Sequence, residues 1–148
     1  MSSGVPPSQG QSLTANPIQE SKAMAKILIV DDSTLSRGIL RRILQTEGHS
    51  IIEAKNGLMG IESYYIDKPD LVLLDIAMPD MQGTEVLEKL RAFDDRARIV
   101  MATADLQELT RASVMAAGAL GYLTKPYNPE AVLAIVNQVL QGIPGGVG

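Results

Sequence analysis

From Lys26 onward, short apolar runs alternate with stretches of helical periodicity. Ile27-Leu28-Ile29-Val30 is apolar at every position, the pattern of a strand covered on both faces. Leu35, Ile39, Leu40, Ile43 and Leu44 then recur at spacings of three and four, predicting an amphipathic helix that stops near Gly48. Ile51-Ile52 predicts a short second strand, and Asn56-Gly57 a turn. Leu58, Ile61 and Tyr65 predict a second helix closed by Lys68-Pro69. Leu71-Val72-Leu73-Leu74 is the clearest buried strand, followed by a loop marked by Pro79 and Gly83 and a helical stripe of Val86, Leu87, Leu90 and Phe93. Ile99-Val100-Met101-Ala102 predicts a fourth strand, and Leu106 to Ala117 a helix stopped by Gly118. Tyr122-Leu123 marks a fifth strand. Asn128-Pro129 supplies an N-cap and a proline at the first helical position for a last helix carrying Val132, Leu133, Val136, Val139 and Leu140. Five β–α units in succession predict an α/β domain, a parallel sheet with helices on both faces. Ligands of such sheets bind beyond the carboxyl ends of the strands, where strand order reverses.

Composition narrows the chemistry. The 148 residues contain no cysteine and one histidine, His49, which excludes a disulfide framework, a thiolate metal site and a multi-histidine centre. Thirteen basic against 17 acidic residues leave a net charge of −4, without the basic footprint of a nucleic-acid binder. No apolar run is long enough to span a membrane, and no signal-like segment opens the chain, so a cytoplasmic protein is expected. Ser, Gln, Pro, Gly and Asn supply 14 of the first 22 residues. Residues 1–24 are therefore expected to be a disordered tail, with Met24 a candidate internal start. Residues 25–142 are expected to form the folded domain and 143–148 a short C-terminal tail. His49, after Gly48, is expected at the surface; Arg37, Arg41 and Arg42 read as a solvated helix face; Asp94, Asp95, Arg96 and Arg98 read as a solvated loop.

The strand ends hold the candidate chemistry. Asp31-Asp32 follows the first strand, Asp75 the third, Thr103 the fourth and Lys125-Pro126 the fifth. Taken singly, an Asp or Thr there is a helix cap and a Lys before Pro a solvated loop residue. Together they bring three carboxylates, a hydroxyl and an ammonium to one edge. Clustered carboxylates resist ionising together without a counter-charge, and an all-oxygen donor set suits Mg²⁺. Asp75 could then serve as a carboxylate nucleophile toward a phosphoryl group, with Lys125 neutralising and Thr103 hydrogen-bonding the phosphoryl oxygens.

Three stretches resemble the receiver domains of two-component response regulators: Lys-Ile-Leu-Ile-Val-Asp-Asp-Ser at 26–33, Asp-Leu-Val-Leu-Leu-Asp-Ile-Ala-Met-Pro-Asp-Met-Gln-Gly at 70–83, and Gly-Ala-Leu-Gly-Tyr-Leu-Thr-Lys-Pro-Tyr at 118–127. The resemblance implies a flavodoxin-like, doubly wound five-stranded parallel sheet of order 2-1-3-4-5 with five helices. It implies a signalling domain rather than an enzyme. Asp75 would be the phosphoacceptor, receiving the phosphoryl group from a sensor histidine kinase or a phosphotransfer protein. Asp31, Asp32 and Asp75, with the Ala77 backbone carbonyl, would hold Mg²⁺. Lys125 and Thr103 would contact the phosphoryl group, Thr103 and Tyr122 would form the switch, and the Lys125-Pro126 bond would be cis. The output surface would lie around the fourth helix, fifth strand and fifth helix and bind an unidentified protein target, with no nucleic acid and no membrane involved. Ala77 and Asp105, two residues beyond the phosphoacceptor and the switch hydroxyl, tune phosphoryl lifetime in relatives; Ala77 cannot orient a water and Asp105 is short, so slow self-hydrolysis is expected.

A stand-alone switch is the leading expectation; the receiver half of a longer regulator and a phosphorelay shuttle are the alternatives. A Mg²⁺-dependent phosphohydrolase or a flavodoxin-like cofactor binder fits less well. Asp31-Asp32-Ser33-Thr34-Leu35 lacks the Asp-x-Asp-x-Thr spacing of aspartate-nucleophile phosphatases, and no phosphate-cradling glycine-rich loop is present.

Overall fold

The computed structural model describes residues 24–104 and 108–142. The expected tails, except Met24, lie outside the described residues, as do Asp105 and Leu106. The elements alternate without exception: β1 (Lys26–Val30), α1 (Thr34–Gln45), β2 (Ser50–Ala54), α2 (Gly57–Asp67), β3 (Leu71–Asp75), α3 (Gly83–Phe93), β4 (Ile99–Thr103), α4 (Glu108–Ala116), β5 (Gly121–Thr124) and α5 (Pro129–Leu140). All neighbouring strands pair in parallel, in the order β2-β1-β3-β4-β5. No helix among the described residues is long and apolar enough to cross a membrane.

Alternation along the strands divides the core in two. Leu28, Val30, Val72, Leu74, Ile99 and Met101 point to the face covered by α2, α3 and α4, where they pack with Tyr64, Val86, Leu87, Leu90 and Val114. Ile27, Ile29, Leu71, Leu73, Val100 and Leu123 point to the other face and pack with Leu40 and Leu44 of α1 and Val132, Ile135, Val136 and Val139 of α5. At about 25 cal/mol per Å² of apolar surface removed from water, these two layers dominate the stabilisation.

Three helices start on a capping side chain. Ser33, Asn56 and Asn128 accept hydrogen bonds from the N–H groups of Ser36, Met59 and Ala131, each satisfying a donor that the first helical turn leaves free. Lys68 closes α2 in the left-handed region at φ 49°, immediately before Pro69.

Three expected faces differ. Leu35, in the first turn of α1, is 71% exposed, and the buried positions of that helix are Gly38, Leu40 and Leu44. In α2 the buried positions are Gly57, Gly60 and Tyr64, while Leu58 and Tyr65 face solvent. A β-carbon at Gly60 would sit 2.8 Å from a Val30 methyl, so α2 approaches β1 through its glycines rather than its larger apolar residues. Phe93 is also exposed, with its ring against Tyr64 and Tyr65.

His49 is buried, not at the surface. Its Nδ1 accepts the Ala25 N–H at 3.0 Å, tucked in by the same edge that pairs the Ser50 N–H with the Ala25 carbonyl at 2.9 Å. Its Nε2 has no hydrogen-bond partner, and burial holds the imidazole pKa below the ordinary value. The loop after α3 is not merely solvated either: Asp94 accepts a 2.7 Å hydrogen bond from the buried Tyr64 hydroxyl, which holds its carboxyl below the usual range.

Candidate functional site

Register assembles the site. Val30 pairs with Leu74, so Asp31 and Asp75 are the next residues of two adjacent strands. Asp75 is paired with Ala102 and Thr103 with Thr124, which brings Thr103 and Lys125 to the same edge one strand at a time. The Lys125 N–H donates to the Thr103 carbonyl at 2.9 Å, and the Lys125-Pro126 peptide bond is cis. The switch point of the sheet lies between β1 and β3.

Carboxylate oxygens of Asp31, Asp32 and Asp75 all lie within 4.8 Å of one another. Asp31 and Asp75 are buried and Asp32 is exposed. The Lys125 ammonium bridges the buried pair, donating to Asp31 Oδ2 at 3.0 Å and lying 3.2 Å from Asp75 Oδ1. Asp31 is fixed on every side. Its Oδ1 accepts the Ser33 N–H at 2.8 Å, its own N–H donates to the Ala54 carbonyl at 3.0 Å, and its carbonyl accepts from Arg37 Nη1 at 2.6 Å.

Electrostatics follow from this crowding. Burial, and then the neighbouring Asp31 charge, push the Asp75 carboxyl above its ordinary value, with Lys125 opposing them. Burial works against the Lys125 charge, but the hydrogen bond to Asp31 and the attraction of Asp75 outweigh it and hold the ammonium above its usual value. The pocket is therefore short of positive charge for its three carboxylates. An all-oxygen, anionic donor set open on the Asp32 side is the chemistry a hard divalent cation such as Mg²⁺ takes.

Thr103 is buried at the end of β4. Tyr122 is half-buried on β5, with the Arg111 guanidinium 4.8 Å from its ring centroid. Ala77 is exposed in the loop after β3. That loop is closed by a backbone contact only glycine permits. The Gly83 N–H donates to the Ile76 carbonyl at 2.7 Å, and a β-carbon at Gly83 would stand 2.1 Å from the Asp75 carbonyl oxygen.

The structure adds residues that sequence reasoning left without a role. Asp80, inside the Asp-x-x-Met-Pro-Asp run, accepts the N–H groups of Gly57 and Leu58 at 2.9 and 3.0 Å and so ties the loop of Asp75 to the start of α2. Those bonds hold its carboxyl below the ordinary range. Arg37 and Arg41 are not a solvated face. Arg37 Nε donates to Glu53 Oε1 at 2.9 Å, and Arg41 pairs with Glu53 Oε2. Burial opposes the Glu53 charge, but the two guanidinium groups outweigh it and hold the carboxyl below its ordinary value. Arg37 is largely withdrawn from solvent, Arg41 keeps part of its side chain exposed, and Arg42 is exposed.

Residues 27–137 match the family model described as the response regulator receiver domain. The chemotaxis protein CheY of Halobacterium salinarum is 42% identical over 118 residues, covering 79% of this chain and 98% of that protein. Protein PilH of Pseudomonas aeruginosa is 37% identical over 121 residues, covering 80% of this chain and all of that protein. Among solved structures, a chain of the CheX–CheY–BeF3–Mg²⁺ complex from Borrelia burgdorferi superposes with a TM-score of 0.74 at 34% identity, covering 77% of this chain and 87% of that one.

Proposed function

The chain belongs to the response regulator receiver domains of two-component systems, and from that premise we propose that it is a phosphorylation-dependent signalling switch whose phosphoacceptor is Asp75. The observation that carries this reading is the Lys125 ammonium spanning Asp31 and Asp75, in a pocket whose three carboxylates converge within 4.8 Å. Asp31, Asp32 and Asp75, with the Ala77 carbonyl, would hold Mg²⁺. When bound, the cation supplies charge neutralisation for the carboxylates and the phosphoryl oxygens.

The chain's own groups account for the rest. Lys125 holds Asp75 Oδ1, leaving the other carboxylate oxygen to attack the phosphorus of a phosphohistidine on a histidine kinase or phosphotransfer protein. The P–O bond forms as the P–N bond breaks, and the donor imidazole nitrogen keeps the electron pair and takes up a proton. Asp75 loses its negative charge to the acyl linkage and gains a dianionic phosphoryl group. Lys125 then re-pairs with a phosphoryl oxygen, and the Thr103 hydroxyl donates to another. Displacement of Thr103 is read by Tyr122, so the equilibrium shifts toward the arrangement that binds the phosphoryl group better. The surface that changes is formed by α4, β5 and α5, and it contacts a protein target. The receiver carries out no turnover chemistry of its own beyond slow hydrolysis of the acyl phosphate.

Intact mass after incubation with Mg²⁺ and acetyl phosphate tests the assignment. The wild type is expected to gain one phosphoryl group that hydroxylamine removes, and Asp75→Asn is expected to gain none. A stable adduct on Asp75→Asn, or no adduct on the wild type from either acetyl phosphate or a phosphohistidine donor, would overturn it.

A further inference from the structure

Arg37 stands outside the acidic pocket, yet its guanidinium reaches into the backbone that builds it. Nη1 donates to the Asp31 carbonyl at 2.6 Å, Nε donates to Glu53 Oε1 at 2.9 Å, and Nη2 lies 3.4 Å from the Thr34 hydroxyl. The side chain is only 13% exposed. Glu53 is itself fixed on its second oxygen by Arg41. The planar fork therefore spans the end of β1, the first turn of α1 and β2, a geometry a single ammonium does not reproduce.

The Asp31 carbonyl belongs to the peptide plane that joins Asp31 to Asp32. Asp31 has other anchors through its N–H and both carboxylate oxygens. Asp32 is different: its side chain is exposed and accepts no hydrogen bond among the described residues. That peptide plane fixes where the Asp32 Cα, the root of its carboxylate, stands relative to Asp31.

We propose that Arg37, braced by Glu53, is a positioning residue of the cation site, locking the Asp31–Asp32 peptide so that the exposed Asp32 carboxylate is presented toward Asp31 and Asp75. This inference rests on the reading of the three carboxylates as a Mg²⁺ site. Groups that orient metal ligands from outside the coordination sphere change affinity by about 10–100-fold when removed. Here the sign separates positioning from simple electrostatics. Arg37 is a cation close to a cation site, so on charge alone its removal tightens divalent binding. If it positions Asp32, its removal weakens binding.

The test is Mn²⁺ titration of the full chain, followed by the free-ion electron paramagnetic resonance signal, on the wild type and on Asp32→Asn, Arg37→Gln, Arg37→Lys, Glu53→Gln and Arg42→Gln. The wild type is expected to bind and Asp32→Asn to bind at least tenfold more weakly. Arg37→Gln and Arg37→Lys are expected to weaken binding about tenfold. The exposed Arg42→Gln should match or slightly exceed the wild type. Urea midpoints measured alongside report folding. Should Arg37→Gln not fold, Glu53→Gln decides, with a few-fold weakening expected. Arg37→Gln binding as tightly as the wild type or tighter, beside a failing Asp32→Asn, overturns the positioning role and leaves the cation site standing. So does a lowered urea midpoint with unchanged affinity. If Asp32→Asn binds as the wild type does, or the wild type binds no Mn²⁺, the cation-site reading falls and this inference falls with it.

Discussion

Replacing Asp75, the proposed phosphoacceptor, should make the cation-free protein more stable. At an effective dielectric of about 20, the Lys125 ammonium 3.2 Å from Asp75 contributes about 5 kcal/mol of attraction. Asp31, whose carboxylate oxygen lies within 4.8 Å, returns at least about 3.5 kcal/mol of repulsion on the same scale. Asp32 adds to that repulsion, and burying the carboxylate costs several kcal/mol more. The sum runs against the charge, in agreement with the upward direction of the Asp75 pKa. Asp75→Asn keeps the shape and an acceptor for Lys125, and its amide donates toward Asp31 or Asp32. A gain of about 1–2 kcal/mol, or about 3–10 °C in Tm, is expected at pH 7.5 in EDTA. The effect also depends on pH. A carboxyl with a raised folded-state pKa opposes folding at neutral pH, and the opposition fades as pH falls through that value toward the ordinary 3.8. The advantage of Asp75→Asn should therefore shrink on acidification. Added Mg²⁺ should stabilise the wild type, by about 2.7 kcal/mol at 100 times its Kd, and close the gap. Urea unfolding followed by circular dichroism at several pH values checks this. A variant no more stable than the wild type in EDTA at pH 7.5, or a gain independent of pH, would refute the electrostatic account.

Gly83→Ala places a methyl 2.1 Å from the Asp75 carbonyl oxygen, a backbone atom that cannot step aside. Instead of the small gain usual for alanine in a helix, it should cost about 1–3 kcal/mol or more and impair acetyl phosphate labelling; an unchanged urea midpoint would count against the contact. Because the His49 pKa is lowered by burial, stability is full above the ordinary 6.5 and is lost as pH falls through the folded-state value, with a slope of at most about 1.4 kcal/mol per pH unit. His49→Gln should flatten that slope between pH 7.5 and 5.5, whatever it does to the absolute midpoint. Ala77→Asn, which adds an amide able to hold a water beside the acyl phosphate, should shorten its half-life several-fold in Mg²⁺ buffer, as followed by intact mass over time. An equal or longer half-life would remove Ala77 from the residues that set the lifetime.

The alternation of five strands and five helices, the cap at Asn128 and the acidic and basic residues at the strand ends were written in the sequence, whereas the capping roles of Ser33 and Asn56 emerged only in the structure. The former are local signals: periodicity, capping chemistry and unbroken apolar runs that only a doubly covered sheet can bury. The site was legible because parallel strands end on one edge, so residues distant in the chain need no further information to meet there. Tertiary structure decided what depends on which surfaces touch. Gly60 and Tyr64, not Leu58 and Tyr65, form the inner face of α2, since Val30 leaves room only for a glycine backbone. His49 is internal because the start of β1 lies against its ring, though a lone histidine after a glycine reads as a loop residue. Arg37 leaves solvent and Arg41 is tied down because β2 brings Glu53 beneath α1, and Asp80 finds its partners at the start of α2. In each case the deciding partner is at least 12 residues away in the chain, beyond the reach of any periodicity or cap.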